Sequence, residues 1–160
     1  MISCCYLTEF EHLKEYIDEY LLDLLNPDGQ SYIPRIYGVD RFLEFKNKHG
    51  KTVGIIKYTP IGDSSAVSFH PMFRNEHKIY TLKCIQAAFD WIESEGYDCI
   101  LFVFPACNPA AEKMAKHVGA KMVNEIPDDW RKNDTVYPTL VYRLELGNRI
   151  YERPQSFRKS

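Results

Sequence analysis

Hydrophobic residues in the first 25 positions predict a short strand followed by a helix. Residues 1–7, MISCCYL, are apolar enough for a strand. Thr8 and Glu11 have the spacing of a capping box, which predicts that a helix begins there. The apolar side chains after this box recur every three or four residues, as on one face of a helix. These side chains are Leu13, Tyr16, Ile17, Tyr20, Leu21, Leu24 and Leu25.

The segment from residue 26 to residue 40 predicts no regular element. NPDG, at 26–29, is a strong stop signal for the preceding helix. Pro34 and Gly38 interrupt any regular pattern in the residues that follow. We therefore interpret this segment as a connection.

From residue 41 the polar and apolar positions alternate, which is typical of strands. Three strand-like runs cover residues 41–47, 52–61 and 66–71, and the last ends at Pro71. KHGK, between the first two runs, is a hairpin signal. The pattern predicts three consecutive antiparallel strands.

A second helix is predicted from Lys78 to Glu95, and Gly96 is well placed to end it. The continuous apolar run 99–104 predicts a strand that is buried on both faces and pairs in parallel across this helix. The apolar stripe predicted for the helix consists of Ile79, Leu82, Ile85, Phe89 and Ile92, widened by Cys84, Ala88 and Trp91.

Asn108 followed by Pro109 predicts the start of a third helix, which ends at Gly119. A short strand over 120–125, a loop over 126–135 and a final strand over 137–146 follow. The element order is thus strand, helix, three antiparallel strands, helix, strand, helix and two strands. This order predicts an α/β fold with a mixed sheet.

Length and composition change this picture little. The chain has 160 residues, 45% hydrophobic and 26% charged, which is typical of one globular domain. We place this domain at 1–147 and interpret 148–160 as a basic, flexible tail. The chain has 20 basic and 22 acidic residues, and this balance disfavours a general nucleic-acid-binding surface. The basic tail alone gives a nucleic-acid role little support.

The cysteines and the hydropathy bear on location and metal binding. The five cysteines are odd in number and lack CxxC or zinc-ligand spacing, so we expect reduced thiols, a cytoplasmic protein and no metal site. No apolar run approaches the length of a membrane span, and no signal peptide is predicted. We therefore expect no membrane partner.

Two stretches of sequence together resemble one known family. VSFHPMFR, at 67–74, is similar to that family's fourth strand, and NPAAEKMAKHVGA, at 108–120, is similar to its signature after the fifth strand. The family is the GNAT N-acetyltransferase superfamily, and the resemblance covers residues 41–146. It implies a mixed, mostly antiparallel sheet with splayed central strands and flanking helices. The signature positions are Asn108, Ala111, Met114 and Gly119.

The resemblance implies a binding site for acetyl-CoA as co-substrate. Family members pair the pantetheine arm with the fourth strand, rest the diphosphate on amides at the start of the next helix, and contact the cofactor through the signature asparagine. The first role falls on Val67, Ser68 and Phe69. The second falls on Arg74, Asn75, Glu76, His77, Lys78, Ile79 and Tyr80, and the third on Asn108.

Three departures from the family pattern bear on activity. His77 and Ile79 occupy positions where the family has small residues in the diphosphate loop. Ala115 stands where many members have a tyrosine that reprotonates the CoA thiolate, and neither central strand contains a glutamate base. Two interpretations of Ile79 stay open: the loop amides still bind a diphosphate, or Ile79 joins the apolar stripe and the amides are unused.

Replacement candidates for the base are His70, Glu44 and Tyr58. Histidine has a pKa suited to a base near neutral pH, which makes His70 a candidate. The alternative interpretation is a structural histidine that hydrogen-bonds a turn. For Glu44 the alternative interpretation is a solvated strand residue. For Tyr58, as for Tyr142, the alternative is a strand tyrosine that packs in the core or at its rim.

Two function classes follow. The first is an acetyl-CoA-dependent N-acetyltransferase that moves acetyl directly to an amine of a protein or small molecule, with the acceptor unidentified. The alternative is a catalytically degenerate protein of this fold that binds, inhibits or serves a structural role, for example in a virus. A homodimer is left open.

Overall fold

The structure is a computed structural model that describes residues 2–7, 11–24, 39–132, 134–150 and 158–159. The chain divides into two compact units. The first unit comprises residues 1–59, 70–91 and 153–160, and the second comprises 60–69 and 92–152.

Three α-helices and eight strands make up the described elements. The helices are α1 (Lys14–Leu24), α2 (Thr81–Ser94) and α3 (Pro109–His117). The strands are β1 (Ser3–Leu7), β2 (Arg41–Lys46), β3 (Thr52–Pro60), β4 (Ala66–Met72), β5 (Cys99–Pro105), β6 (Lys121–Lys132), β7 (Thr135–Glu145) and β8 (Arg158–Lys159). Short 3₁₀ helices lie at Glu11–Leu13, Asn75–Tyr80 and Leu146–Asn148.

In the first unit, β2 pairs antiparallel with both β1 and β3. The turn between β2 and β3 uses Gly50, whose φ of 75° favours glycine, as the hairpin signal predicted. One face of these strands packs against α1 in a common apolar cluster. The cluster consists of Leu13, Tyr16, Ile17, Tyr20, Phe42, Ile55 and Met72. The apolar stripe predicted for the first helix is confirmed for the members whose side chains are described.

In the second unit, β5 is the central strand. Over its whole length it pairs antiparallel with β7. Its first three residues also pair parallel with β4. Strand β7 in turn pairs antiparallel with β6. Helix α3 follows β5, and Gly119, with a φ of 97°, lies just past its end.

Hydrogen-bonded neighbours follow the order β3-β2-β1-β8 in the first unit and β6-β7-β5-β4 in the second. Two pairings are parallel: β4 with β5, and the short pairing of β8 with β1. The pairings of β1 with β2, β2 with β3, β5 with β7 and β6 with β7 are antiparallel. The parallel pairing of β4 with β5 runs from Ala66–Cys99 to Ser68–Leu101 and ends there, although both strands continue. A mixed, mostly antiparallel sheet with flanking helices is therefore confirmed.

The loop predicted over 126–135 is wrong. Strand β6 runs through most of it and pairs with β7 as far as Lys132–Thr135. Pro127 and a register shift between Ile126 and Trp130 break the alternation that would have indicated a strand. Because β6 has a strand neighbour on one side only among the described residues, it tolerates a proline that an inner strand would exclude.

The start of the second helix is also corrected. The chain first forms the 3₁₀ helix Asn75–Tyr80, and α2 begins only at Thr81. Ile79 is 81% exposed, so it does not belong to the apolar stripe of α2. Burial of β5 on both faces is wrong at one position, since Val103 is 41% exposed.

Several predictions lie wholly or partly outside the described residues. These are the Thr8 cap, the stop at 26–29, most of 30–40 and much of the tail 148–160. Within the tail, Arg158 and Lys159 pair with β1. The domain bounds stay a prediction.

Candidate functional site

The segment Asn75–Tyr80, here called the 75–80 turn, joins β4 to α2 in the first unit. Arg74 precedes it with extended backbone angles (φ −62°, ψ 154°). Inside the turn, the His77 amide donates to the Arg74 carbonyl at 2.9 Å. The start of a helix carries partial positive charge and outward N–H groups, which is where an anion fits best.

Tyr16 of α1 ties the turn from outside. Its hydroxyl accepts a hydrogen bond from the Arg74 amide at 3.1 Å and lies 3.0 Å from Nδ1 of His77. The hydroxyl keeps a second lone pair and its one proton, so it can donate to Nδ1 of a ring protonated on Nε2 or accept from a ring protonated on Nδ1. His77 is 7% exposed, and burial lowers its pKa, which favours the neutral ring.

The Arg74 guanidinium is held by two carboxylates. Its Nη1 lies 2.9 Å from Glu19 of α1 and 2.9 Å from Glu76 of the turn. Both carboxylates are partly exposed, so these pairs are exchangeable rather than locked. An anion at the turn would therefore compete with Glu19 and Glu76 for the guanidinium.

Ile79 projects into solvent from this turn. The interpretation that it joins the apolar stripe is therefore wrong. That the turn amides bind a diphosphate stays a prediction.

Strand β4 contributes its backbone in the second unit. Val67 and Ser68 pair with Ile100 and Leu101 of β5, and the pairing ends there. Phe69, the next residue, packs edge-on against Phe102 with ring centroids 5.4 Å apart. Strand β5 therefore already occupies this edge of β4 at Val67 and Ser68. That a pantetheine arm pairs with Val67, Ser68 and Phe69 stays a prediction.

Asn108 is the N-cap of α3. Its Oδ1 accepts a hydrogen bond from the Ala111 amide at 3.2 Å, and Pro109 occupies the first helical position, as the sequence predicted. A cofactor contact by Asn108 would therefore use its side-chain amide nitrogen, since the oxygen is committed to the helix.

Glu44 is buried in the first unit, at 3% exposure, so the alternative interpretation as a solvated residue is wrong. Thr52 donates to its carboxylate at 2.6 Å. Lys46 lies 3.7 Å and His12 3.5 Å from the same side chain. These contacts account for Glu44 as a structural carboxylate.

Tyr58 is also structural in its contacts. It is 1% exposed, and its hydroxyl accepts a hydrogen bond from the Trp91 indole at 3.1 Å. Trp91 in turn stacks on Tyr6 with centroids 5.3 Å apart.

His70 has a buried ring nitrogen, Nε2. Burial, with a smaller contribution from the charge of Lys57, lowers the pKa of His70 to about 3. A ring with this pKa is neutral near pH 7 but a weak base, which counts against the role in proton abstraction.

A buried carboxylate that the sequence did not single out lies beside Lys57. Asp40 is 1% exposed, accepts a hydrogen bond from Thr59 at 2.5 Å and lies 3.7 Å from the Lys57 ammonium. It falls at the end of the segment 26–40, where the pattern of residues was uninformative.

In the second unit, Tyr142 donates a short hydrogen bond to Glu112 of α3, which raises the pKa of the tyrosine to about 12. Glu112 also lies 3.8 Å from Lys116. Phe104 stacks on the Tyr142 ring at 5.5 Å. The pair thus fixes α3 to β7, a contact that joins residues 30 positions apart and gives no local sequence signal.

No helix among the described residues is long and apolar enough to span a membrane. In the same part of the chain, no three histidine, cysteine, aspartate or glutamate side chains are grouped as a metal site would require.

Comparison with known proteins places the fold. No protein-family model matches the sequence, and no curated protein matches it. Solved structures of spermidine N-acetyltransferase from Vibrio cholerae match with TM-scores of 0.70 to 0.72. The chain has the GNAT fold.

Three of these structures give the extent of the likeness. A variant of the Vibrio cholerae enzyme is 12% identical, with 91% of this chain and 94% of that chain covered and a TM-score of 0.72. The spermidine/spermine N-acetyltransferase in complex with manganese ions is 13% identical (91% and 93% covered, TM-score 0.70). A dodecameric form in an intermediate state is 12% identical (91% and 94% covered, TM-score 0.71).

Within the GNAT fold, Ala115 is fully buried in α3. The position where many members carry a tyrosine is therefore filled by a small core residue. Tyr142 is the hydroxyl beside α3, but its proton is engaged by Glu112.

Proposed function

We propose that this chain is an acetyl-CoA-dependent N-acetyltransferase that transfers acetyl directly to an amine. The observation that carries the proposal is the GNAT fold over most of the chain, with a helix start placed directly after β4. The capped helix that begins at Asn108 after β5 adds support, because it falls on the family signature.

The 75–80 turn is the proposed contact for the diphosphate. Its helical start favours negative charge. Arg74 supplies a guanidinium once it exchanges Glu19 or Glu76 for a phosphate oxygen, and bidentate recognition of phosphate suits this side chain. Lys78 adds a further positive charge to the turn.

The proposed reaction needs little covalent participation by the protein. Acetyl-CoA supplies an activated acyl group; the amine nitrogen forms a bond to the carbonyl carbon, the carbon–sulfur bond breaks, and the amine proton leaves as the thiolate gains one. The protein contributes orientation and a proton route. His70, Glu44 and Tyr58 stay candidates for that route, with the contacts described above counting against each.

The first acceptor to test is spermidine, because the similar structures are spermidine N-acetyltransferases. Primary amines on peptides and small molecules form the rest of the panel.

Calorimetric titration with acetyl-CoA tests the proposal, with Arg74→Ala as the site variant. Arg143→Ala is the matched control, since Arg143 also pairs with a glutamate two residues further on, Glu145, at 2.6 Å. We expect saturable binding to the wild type and to Arg143→Ala, and weaker binding to Arg74→Ala. Absence of binding at millimolar acetyl-CoA would refute the proposal.

A second candidate is a binding protein with the GNAT fold and no catalysis. It is favoured by the two carboxylates on Arg74 and by the exposed branched side chain of Ile79 at a position where the family has a small residue. Tight CoA binding without turnover of any amine would favour this candidate, and so would binding of neither CoA nor an amine.

A further inference from the structure

We propose that Tyr16 is a positioning residue for the diphosphate of an acyl-CoA, acting from α1 through the 75–80 turn. This inference rests on the proposed function, and it concerns how a turn without glycine is held in an anion-binding shape. Tyr16 acts through the turn and does not itself contact the ligand.

Tyr16 holds the turn at two points. The Arg74 amide, immediately before the turn, donates to the Tyr16 hydroxyl at 3.1 Å. The same hydroxyl lies 3.0 Å from Nδ1 of His77, in the middle of the turn. The two rings also stack, with centroids 5.7 Å apart and planes inclined by 10°. Tyr16 thus contacts the backbone before Asn75, at Arg74, and the side chain after Glu76, at His77.

The direction of these hydrogen bonds sets the tautomer of His77. The Tyr16 hydroxyl accepts from the Arg74 amide, and in the proposed arrangement it donates its one proton to Nδ1. In that arrangement His77 carries its own proton on Nε2, which lies 3.5 Å from the Glu76 carboxylate. The histidine thus transmits the position of Tyr16 to Glu76.

Helix α1 also reaches the turn through Glu19, which follows Tyr16 by three residues and so lies on the same side of the helix. Glu19 binds the Arg74 side chain, whereas Tyr16 binds the Arg74 amide. A diphosphate can therefore displace the carboxylate from the guanidinium while Tyr16 keeps the turn in place. The position of α1 and the shape of the turn are coupled through Tyr16.

The charged groups around His77 come from three elements. Glu76 and Arg74 belong to the turn region, Glu19 belongs to α1, and Lys51 belongs to the connection between β2 and β3. Protonation of His77 at Nδ1 would remove the acceptor for the Tyr16 proton. CoA affinity should accordingly fall when the solution is acidified enough to protonate this ring.

The test compares Tyr16→Phe with Tyr20→Phe, which removes a hydroxyl from another buried tyrosine one turn further along α1. Each variant is titrated with CoA and with pantetheine, which lacks the diphosphate. We expect Tyr16→Phe to weaken CoA binding about tenfold, the effect of losing one or two hydrogen bonds, and to leave pantetheine unchanged. Tyr20→Phe should bind CoA as the wild type does.

Equal CoA affinity in Tyr16→Phe and wild type, or equal losses for CoA and pantetheine, would overturn the inference and leave the proposed function standing. A wild type that does not bind CoA would overturn the proposed function and the inference with it. If Tyr16→Phe does not fold, nitrogen-15 NMR of wild-type His77 replaces it. A ring protonated on Nε2, whose nitrogen resonances shift on addition of CoA but not of pantetheine, supports the inference. A ring protonated on Nδ1 contradicts it.

Discussion

The guanidinium of Arg74 lies 2.9 Å from the carboxylate of Glu19, which connects the 75–80 turn to α1. Glu76 approaches the same nitrogen at the same distance. The cationic side chain that we propose for a phosphate contact is thus held by two carboxylates. If the turn binds a diphosphate, as we propose, the anion exchanges with a carboxylate, and its affinity depends on how firmly Glu19 and Glu76 hold Arg74.

Replacing Glu76 by Gln should therefore strengthen CoA binding. Exposed ion pairs contribute up to about 1 kcal/mol, so the expected gain is about two- to fivefold at low salt and smaller at high salt. Isothermal titration at two ionic strengths measures it. Glu145→Gln, which removes the carboxylate from Arg143, is the control and should leave the affinity unchanged. Weaker CoA binding by Glu76→Gln at low salt would count against a diphosphate at the turn.

Ile79 should be replaceable without loss of stability. Because its side chain is 81% exposed, Ile79→Ala should change the free energy of unfolding by less than about 0.5 kcal/mol. Ile85→Ala, in α2 and fully buried, should cost about 2–5 kcal/mol. Urea unfolding of both variants tests the corrected position of Ile79. A large destabilisation by Ile79→Ala would mean that the side chain packs after all.

Asn108 should show separate effects on stability and binding. Asn108→Ala removes the cap of α3 and should cost about 1 kcal/mol, whereas Asn108→Asp keeps an oxygen acceptor and should cost much less. Thermal or urea unfolding measures both. If the side-chain amide also contacts the cofactor, both variants should weaken acetyl-CoA binding. Full binding by the stable Asn108→Asp variant would restrict Asn108 to capping.

Stability should fall as the solution is acidified through the range in which His70 titrates. The pKa of His70 is lowered to about 3 in the folded protein, so below the unfolded value near 6.5 the unfolded chain binds the proton more readily. This group alone should remove about 3 kcal/mol of unfolding free energy between pH 7 and pH 4.

Comparison with His70→Gln isolates this effect. Lys57 is the charged neighbour that disfavours the imidazolium of His70. The pKa of His77 is also lowered, and its contribution to the acid dependence of stability is present in both proteins. Urea unfolding across the pH range should give a shallower acid dependence for the variant. Parallel curves for the two proteins would contradict the lowered pKa.

Much of the fold follows from local sequence signals. The amphipathic stripe of α1, the hairpin at Gly50, the cap at Asn108 and the helix end at Gly119 each depend on residues within one element or turn. Their physical causes are local, so a single sequence is enough to locate them. The α/β order followed from these elements together.

The predictions that failed depend on tertiary context. Strand β6 keeps its pairing with β7 through Pro127 and a register shift, which local alternation does not indicate. The contact of Tyr16 with His77 joins residues 61 positions apart, and that of Tyr142 with Glu112 joins residues 30 apart. Neither pair could be found from spacing, although both decide how the candidate site is built.

The proposed transfer of acetyl from acetyl-CoA to an amine is tested by measuring amine-dependent release of free CoA, with mass detection of the acetylated product. Spermidine and a panel of peptide and small-molecule amines serve as acceptors. We expect release that requires both the protein and an amine, falls in Arg74→Ala and persists in Arg143→Ala. Saturable acetyl-CoA binding with no acetylated product from any amine in the panel would contradict it.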